Sequence, residues 1–131
     1  MASKADVTRA VLACFERGDV EGVRPLLTDD IVGTSAPGWP EQGPFGGRDA
    51  VVGQFTRLAA DWEENRVSGL EVVAENVDWV VVKYRWDVRG ASSGLETHFA
   101  LATACQFAGE RIKRLHFAWT PDDALEVAGL K

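Results

Sequence analysis

The sequence predicts an α+β domain in which helices lie on one face of a curved antiparallel sheet. Three observations predict it. Up to residue 64 the apolar residues recur mostly at helical spacing, interrupted by one short strand-like run. From Val67 the period changes to two and holds, strand by strand, to Trp119. The links in that second half are short and carry turn chemistry: ENVD at 75–78, GASSG at 90–94 and AGE at 108–110. Short links make successive strands antiparallel neighbours, and helices followed by such a meander give this class. At 131 residues the chain suits one domain over residues 1–131.

Taken in order, Ser3 and Asp6 have the spacing of a capping box. Val7, Ala10, Val11, Cys14 and Phe15 follow as one helical stripe. Gly18 ends that helix, and Asp19 can cap a second, short helix from Val20 to Leu26, limited by Pro25. Asp29 and Asp30 read as turn or capping residues, and Ile31 to Ser35 as a short strand. The stretch SAPGWPEQGPFGGRDA (35–50) then mixes Pro and Gly with Trp39 and Phe45. Asp49 reads as the cap of a helix reaching Glu64, with Ala50, Val51, Phe55, Leu58, Ala59 and Trp62 on its apolar face. Strands are expected from Val67, over Trp79–Val88, over Leu95–Phe107 and over Arg111–Trp119. Thr120, Pro121 and two acids start a last helix that Gly129 ends. The order is α-α-β-α-β-β-β-β-α.

Composition excludes several partners. Net charge is −6, and Arg111, Lys113 and Arg114 form the densest basic cluster. A nucleic-acid binder needs a stronger basic footprint. No apolar run approaches the roughly 20 residues of a membrane span. The start, MASKADVTRAV, has no apolar signal region. Neither nucleic acid nor membrane is therefore expected as a partner, and the chain is expected to be cytoplasmic. Cys14 and Cys105 sit among apolar neighbours with no CxxC and no Cys/His cluster, and read as buried free thiols. Two histidines and one neighbouring Glu are too few for a metal site. Neither a metal nor a cofactor is expected. Five Trp in so short a chain is high. Each can bury about 150–250 Å², so they make a large core or line an apolar cavity.

The long strands sort by parity. From Leu95 the odd positions are bulky: Leu95, Phe99, Leu101 and Phe107, with Thr97, Thr103 and Cys105. The even positions are Glu96, His98, Ala100, Ala102, Ala104 and Gln106. Such a flat centre, extended by Ala118, fits a second molecule packed sheet against sheet. A homodimer through Ala100, Ala102 and Ala104 is the expectation.

The pieces FERGDVEGVRPLLTDDIV (15–32), PFGGRDAVVGQF (44–55), RGASSG (89–94) and ERIKRLHFAWTPDDALEVAGL (110–130) resemble, in that order and spacing, the NTF2-like superfamily. More narrowly they resemble its SnoaL-like and ketosteroid-isomerase-like members, over residues 6–130. The resemblance implies a cone: a bent sheet wrapped around a helix, with an apolar pocket in its mouth and a small apolar molecule as ligand. The pocket is then expected to draw Ala10 and Cys14 from the first helix, and Ser35 and Trp39 from the first strand and the loop over the mouth. Phe55, Trp62, Tyr84 and Trp86 follow, then Phe99, Leu101, Thr103 and Cys105. Leu115, Phe117 and Trp119 complete it.

Ketosteroid isomerase chemistry needs a carboxylate base, a Tyr and a protonated Asp. The resemblance carries these positions onto Ser35, Ala10 and Thr103, so all three groups are absent. The Asp-Arg-Asp set of limonene epoxide hydrolases fares no better, with Phe117 where its last Asp belongs. A SnoaL-type acid/base is less demanding, and Tyr84, Asp87 and His98 are the candidates. Tyr84 could donate a hydrogen bond inside the cone, and Asp87 could be oriented by Arg85. His98 pairs with Glu96 on one strand face. Two readings stay open: an isomerase, cyclase or dehydratase working by proton transfer on a mostly apolar cyclic substrate, or a non-catalytic ligand-binding domain. In both, Pro37 to Pro44 covers the mouth of the cone with Trp39 and Phe45.

Overall fold

In the computed structural model, which describes residues 2–131, the predicted capping box opens helix α1 (Lys4–Glu16). The Ser3 hydroxyl accepts the Asp6 N–H at 3.1 Å, and the Asp6 carboxylate accepts the Ser3 N–H at 3.3 Å. The helix buries Val7, Val11, Leu12, Cys14 and Phe15. Val20–Leu26 is a 3-10 helix rather than the expected α-helix. It is seven residues long and contains Pro25, so few α-type hydrogen bonds could form. Asp19 still caps it, accepting the Gly22 N–H at 3.0 Å.

Strand β1 (Leu27–Ser35) starts earlier than predicted and takes in Asp29 and Asp30. A two-residue strand, β2 (Phe45–Gly46), pairs with it. Helix α2 (Arg48–Ala60) is capped by Gly47 with no side-chain hydrogen bond, so Asp49 is not the cap. Asp49 instead pairs with Arg24, and Arg48 pairs with Asp29, fastening the helix start to the elements before it. The helix also stops four residues short of Glu64. Trp62 continues the helical spacing, but the polar run behind it belongs to strand β3 (Trp62–Glu75). Strands β4 (Trp79–Gly90), β5 (Glu96–Ala108) and β6 (Arg111–Ala118) complete the meander, and helix α3 (Pro121–Ala128) closes the chain. Leu95 falls just outside β5 and is exposed.

The sheet order is β2-β1-β6-β5-β4-β3. The α+β cone is as the sequence predicts, with two differences: α3 packs on the face of the sheet opposite α1 and α2, and one strand pair is parallel. β1 runs parallel to β6, Ser35 opposite Phe117, so the sheet is mixed and not purely antiparallel. The strands β3 to β6 are antiparallel throughout. β4 and β5 pair without a bulge from Trp79–Gln106 to Arg89–Glu96. Odd residues of β5 and even residues of β4 therefore face α1 and α2 together. A register shift after Gln106 brings Ile112 to the core side, against the parity of Leu115 and Phe117.

The other face of β5 has a different use from the one expected. Ala102, Ala104 and Ala118 are fully buried in a second core with Trp79, Val81, Ala124 and Ala128. Ala124 and Ala128 belong to α3. The alanines are thus the seat of the chain's own last helix, and Ala102 and Ala104 are not free to meet a second molecule. Ala100, one pair further along, is exposed. Thr120 caps α3 by accepting the Asp123 N–H at 3.2 Å, and Pro121 fixes its first turn.

This packing is testable. Ala104→Leu should cost about 1–3 kcal/mol by overpacking beneath α3, whereas Ala100→Leu should stay within about 0.5 kcal/mol of the parent. Urea unfolding of both variants measures this, and equal effects would show that α3 does not seat there.

Candidate functional site

Inside the cone, α1, α2, β3, β4, β5, β6 and the loop after β1 converge on a small apolar cavity of about 30 Å³. Six of the expected pocket residues line it: Trp39, Phe55, Tyr84, Trp86, Leu101 and Phe117. Val11, Leu12, Phe15, Leu58 and Val67 line it as well. Val11, Phe15 and Leu58 were legible as helical stripes but not as pocket wall. Leu12 broke the simple stripe, and Val67 lies where the period changes.

Other expected residues pack around this centre. Cys14, Cys105 and Leu115 are core, and Trp62, Phe99 and Trp119 are partly buried against it. Ala10 is only half-buried. The cavity holds little more than a water molecule, because aromatic rings fill the cone. Phe15 meets Phe55 edge-on at 5.9 Å, and Trp62 meets Trp86 at 5.6 Å. Trp39 lies almost parallel to Phe117 (5.4 Å, 8°) and to Trp86 (6.5 Å, 14°).

Trp39 comes from the loop 36–44, which follows β1. The loop turns at Pro37–Gly38, and Gly38 and Gly43 both have positive φ. At Gly43 a Cβ would come within 2.9 Å of the Gly33 carbonyl, so a side chain does not fit. The loop is fastened to the end of β6 and to the residue just beyond it: Ala36 N–H donates to the Phe117 carbonyl at 2.9 Å, and the Trp119 indole donates to the Pro37 carbonyl at 2.8 Å. An Arg57–Glu41 ion pair joins it to α2.

The polar groups of the interior are mostly hydroxyls. Tyr84 Oη and Thr103 Oγ1 lie 2.8 Å apart, both buried. Burial raises the Tyr84 pKa well above its ordinary value, so the phenol stays protonated. Burial also pushes the Cys105 thiol up to about 12, which makes it an inert core group. Ser35 Oγ and the Trp39 indole N–H are buried without a hydrogen-bond partner among the described residues. Each such group costs about 1–3 kcal/mol. No carboxylate or imidazole lines the cavity.

Asp87 and His98 lie opposite each other in register on β4 and β5, but on the outer face. The Arg85 guanidinium donates to Asp87 at 2.9 Å, and His98 is exposed. They belong to an open, largely polar cleft of about 870 Å³ that Arg66, Arg89 and Glu96 also border; it reaches Phe15 and Trp62 of the inner core, and Phe15 lines the small cavity as well. The alternation of β4 is what sends Asp87 away from Tyr84. His116 is also on the outer side, 2.6 Å from the Thr34 hydroxyl, and partial burial lowers its pKa. Among the described residues no group of three or more His, Cys, Asp or Glu is arranged to hold a metal. Among the same residues no helix is long and apolar enough to cross a membrane.

A family profile described as the SnoaL-like domain matches residues 8–115. Among solved structures, a candidate polyketide cyclase from Pseudomonas putida superposes with a TM-score of 0.79 at 14% identity, covering 96% of this chain and 98% of the other. An NTF2-like protein of unknown function from Burkholderia pseudomallei gives 0.78 at 19%, covering 96% and 97%. A candidate isomerase from Bacillus subtilis gives 0.77 at 19%, covering 98% and 94%. At these identities the likeness is one of fold. No curated protein sequence matches the chain.

Tyr84 is the single tyrosine, so tyrosinate absorbance reports it alone. The native protein should show no ionisation at pH about 10, where an unfolded tyrosine is half ionised. Tyr84 and Cys105 both have raised pKa values in the folded state. Above pH about 8.5 the unfolded chain therefore releases protons that the folded chain keeps. Stability should be fully present below that pH and fall as pH rises towards 12. A native tyrosinate midpoint near 10 would mean that water reaches the phenol.

Proposed function

This chain belongs to the SnoaL-like domain family, and we propose that it binds a small, mostly apolar cyclic molecule inside the cone. The observation that carries this reading is the chemistry of the interior: a cavity with apolar walls, and directly behind them one buried hydroxyl pair, Tyr84 and Thr103. Such walls hold a carbon skeleton by burial, and a few fixed polar groups orient it. A carbonyl or hydroxyl on the ligand can take the place of one partner in that pair. The cavity is small, so a ligand enters only as the wall rearranges. The loop 36–44 is the part of the wall that belongs to neither a helix nor a long strand.

Isomerase or cyclase chemistry is the second reading, and the same phenol favours it. A Tyr84 hydroxyl kept protonated by burial can donate to a substrate carbonyl while negative charge develops on its oxygen. The descriptions of the Pseudomonas and Bacillus structures point the same way. Proton removal next to that carbonyl then falls to a group carried by the substrate or to a water entering with it. Asp87 and His98, on the outer face, take no part.

A panel of small cyclic ketones tests both readings. Ligands should raise the melting temperature of the protein. Tyr84→Phe should weaken ketone binding about tenfold, equivalent to one good hydrogen bond. Asp87→Asn and His98→Gln should leave binding unchanged. A loss of binding in those two variants but not in Tyr84→Phe would move the site to the outer cleft. Deuterium uptake from solvent next to the bound ketone identifies turnover, and binding without uptake leaves the binding reading alone.

A further inference from the structure

We propose that the indole of Trp39 occupies the site of a planar aromatic ligand, which enters the cone by displacing it. This deepens the interior-site reading above and rests on it. Trp39 reaches the core from the loop 36–44, whereas Phe117 and Trp86 project from β6 and β4. With β5 between them, those strands lie about 9–10 Å apart. The indole bridges the gap, nearly parallel to both rings (8° and 14°). Two aromatic faces so disposed select a flat ring by stacking.

The indole is also an imperfect occupant. Its N–H is buried, at 6% exposure, and has no partner among the described residues. A buried Trp N–H usually finds one. Ser35, opposite Phe117 in the β1–β6 register, has a buried hydroxyl in the same condition at 8% exposure. A flat ligand of one or two fused rings, with a hydroxyl or carbonyl on its edge, can stack where the indole stacks. It can also give Ser35 the hydrogen bond it lacks. Displacement joins the slot to the existing void beside Tyr84 and Leu101. On its remaining side the indole packs against Trp119, which is only partly buried and lies 5.0 Å away.

Fluorotryptophan-labelled protein tests this by fluorine NMR, with the Trp39 signal assigned by its loss in Trp39→Phe. The probe is naphthol, and decahydronaphthol is its saturated, non-planar control. Naphthol should turn the Trp39 signal from buried to solvent-exposed behaviour. It should bind Trp39→Ala about tenfold more tightly than the parent, because no indole competes for the slot. Decahydronaphthol should bind both proteins at least tenfold more weakly than naphthol.

Naphthol binding with Trp39 still buried, or with equal affinity for both proteins, overturns the proposal. If Tyr84→Phe still weakens ketone binding, the interior-site reading survives that result. Equal binding of the two probes overturns the planar class alone. Binding of neither probe overturns displacement, and the ketone panel then decides the wider reading independently. If Trp39→Ala does not fold, the signal of the parent protein decides by itself.

Discussion

The pairing of β4 with β5 governs what each face of the sheet can do. From Trp79–Gln106 to Arg89–Glu96 the two strands match residue for residue, with no bulge to reset the alternation. One slip would exchange the faces. As built, Tyr84, Trp86, Leu101 and Thr103 go inward together, while Val81, Ala102 and Ala104 go outward together. The same constraint removes Asp87 and His98 from the cone, although Asp87 is one residue from Trp86. The interior is therefore hydroxylic and aromatic, and the charges belong to the surface.

Strand parity made much of this legible beforehand. The long alternation gave the correct faces from Phe99 to Phe107 but not at Leu95, which is exposed, and the inward Leu115 and Phe117 followed from the same logic. The use of the outer face was not legible. Small residues in alternate positions announce that something packs closely, but a neighbouring chain and a later helix of the same chain leave the same pattern. Trp62 misled because a residue at helical spacing beyond Leu58 and Ala59 also fits the first position of a strand. Asp49 looked like a cap because glycine has no side chain to advertise that role, and Gly47 takes it instead. The parallel β1–β6 pair had no local signal, since its strands are separated by most of the chain.

The richness in tryptophan now has a specific form. These rings do not surround an empty chamber; they close it. Trp39 is the ring with the least regular support, coming from a loop shaped by Gly38 and Gly43, and it carries an unsatisfied N–H into the core. Stability and ligand access therefore draw on the same side chain. Other rings, such as Phe15, Phe55 and Trp86, are held by helices and strands and form the rigid part of the wall.

The parallel pair of β1 and β6 also bears on how the chain assembles during synthesis. β1 is made early, yet its long hydrogen-bonded neighbour is the last strand. The loop 36–44 likewise hangs from Phe117 and Trp119. Until those residues leave the ribosome, β1 presents an open edge and the loop has nothing on β6 to hold. Contacts so distant in sequence form late, because a long loop must close before they contribute. Until then the aromatic interior is an open half-shell, and the segment from Arg111 onward converts it into a closed body. A truncation near the C-terminus would thus remove far more than its own few residues of structure.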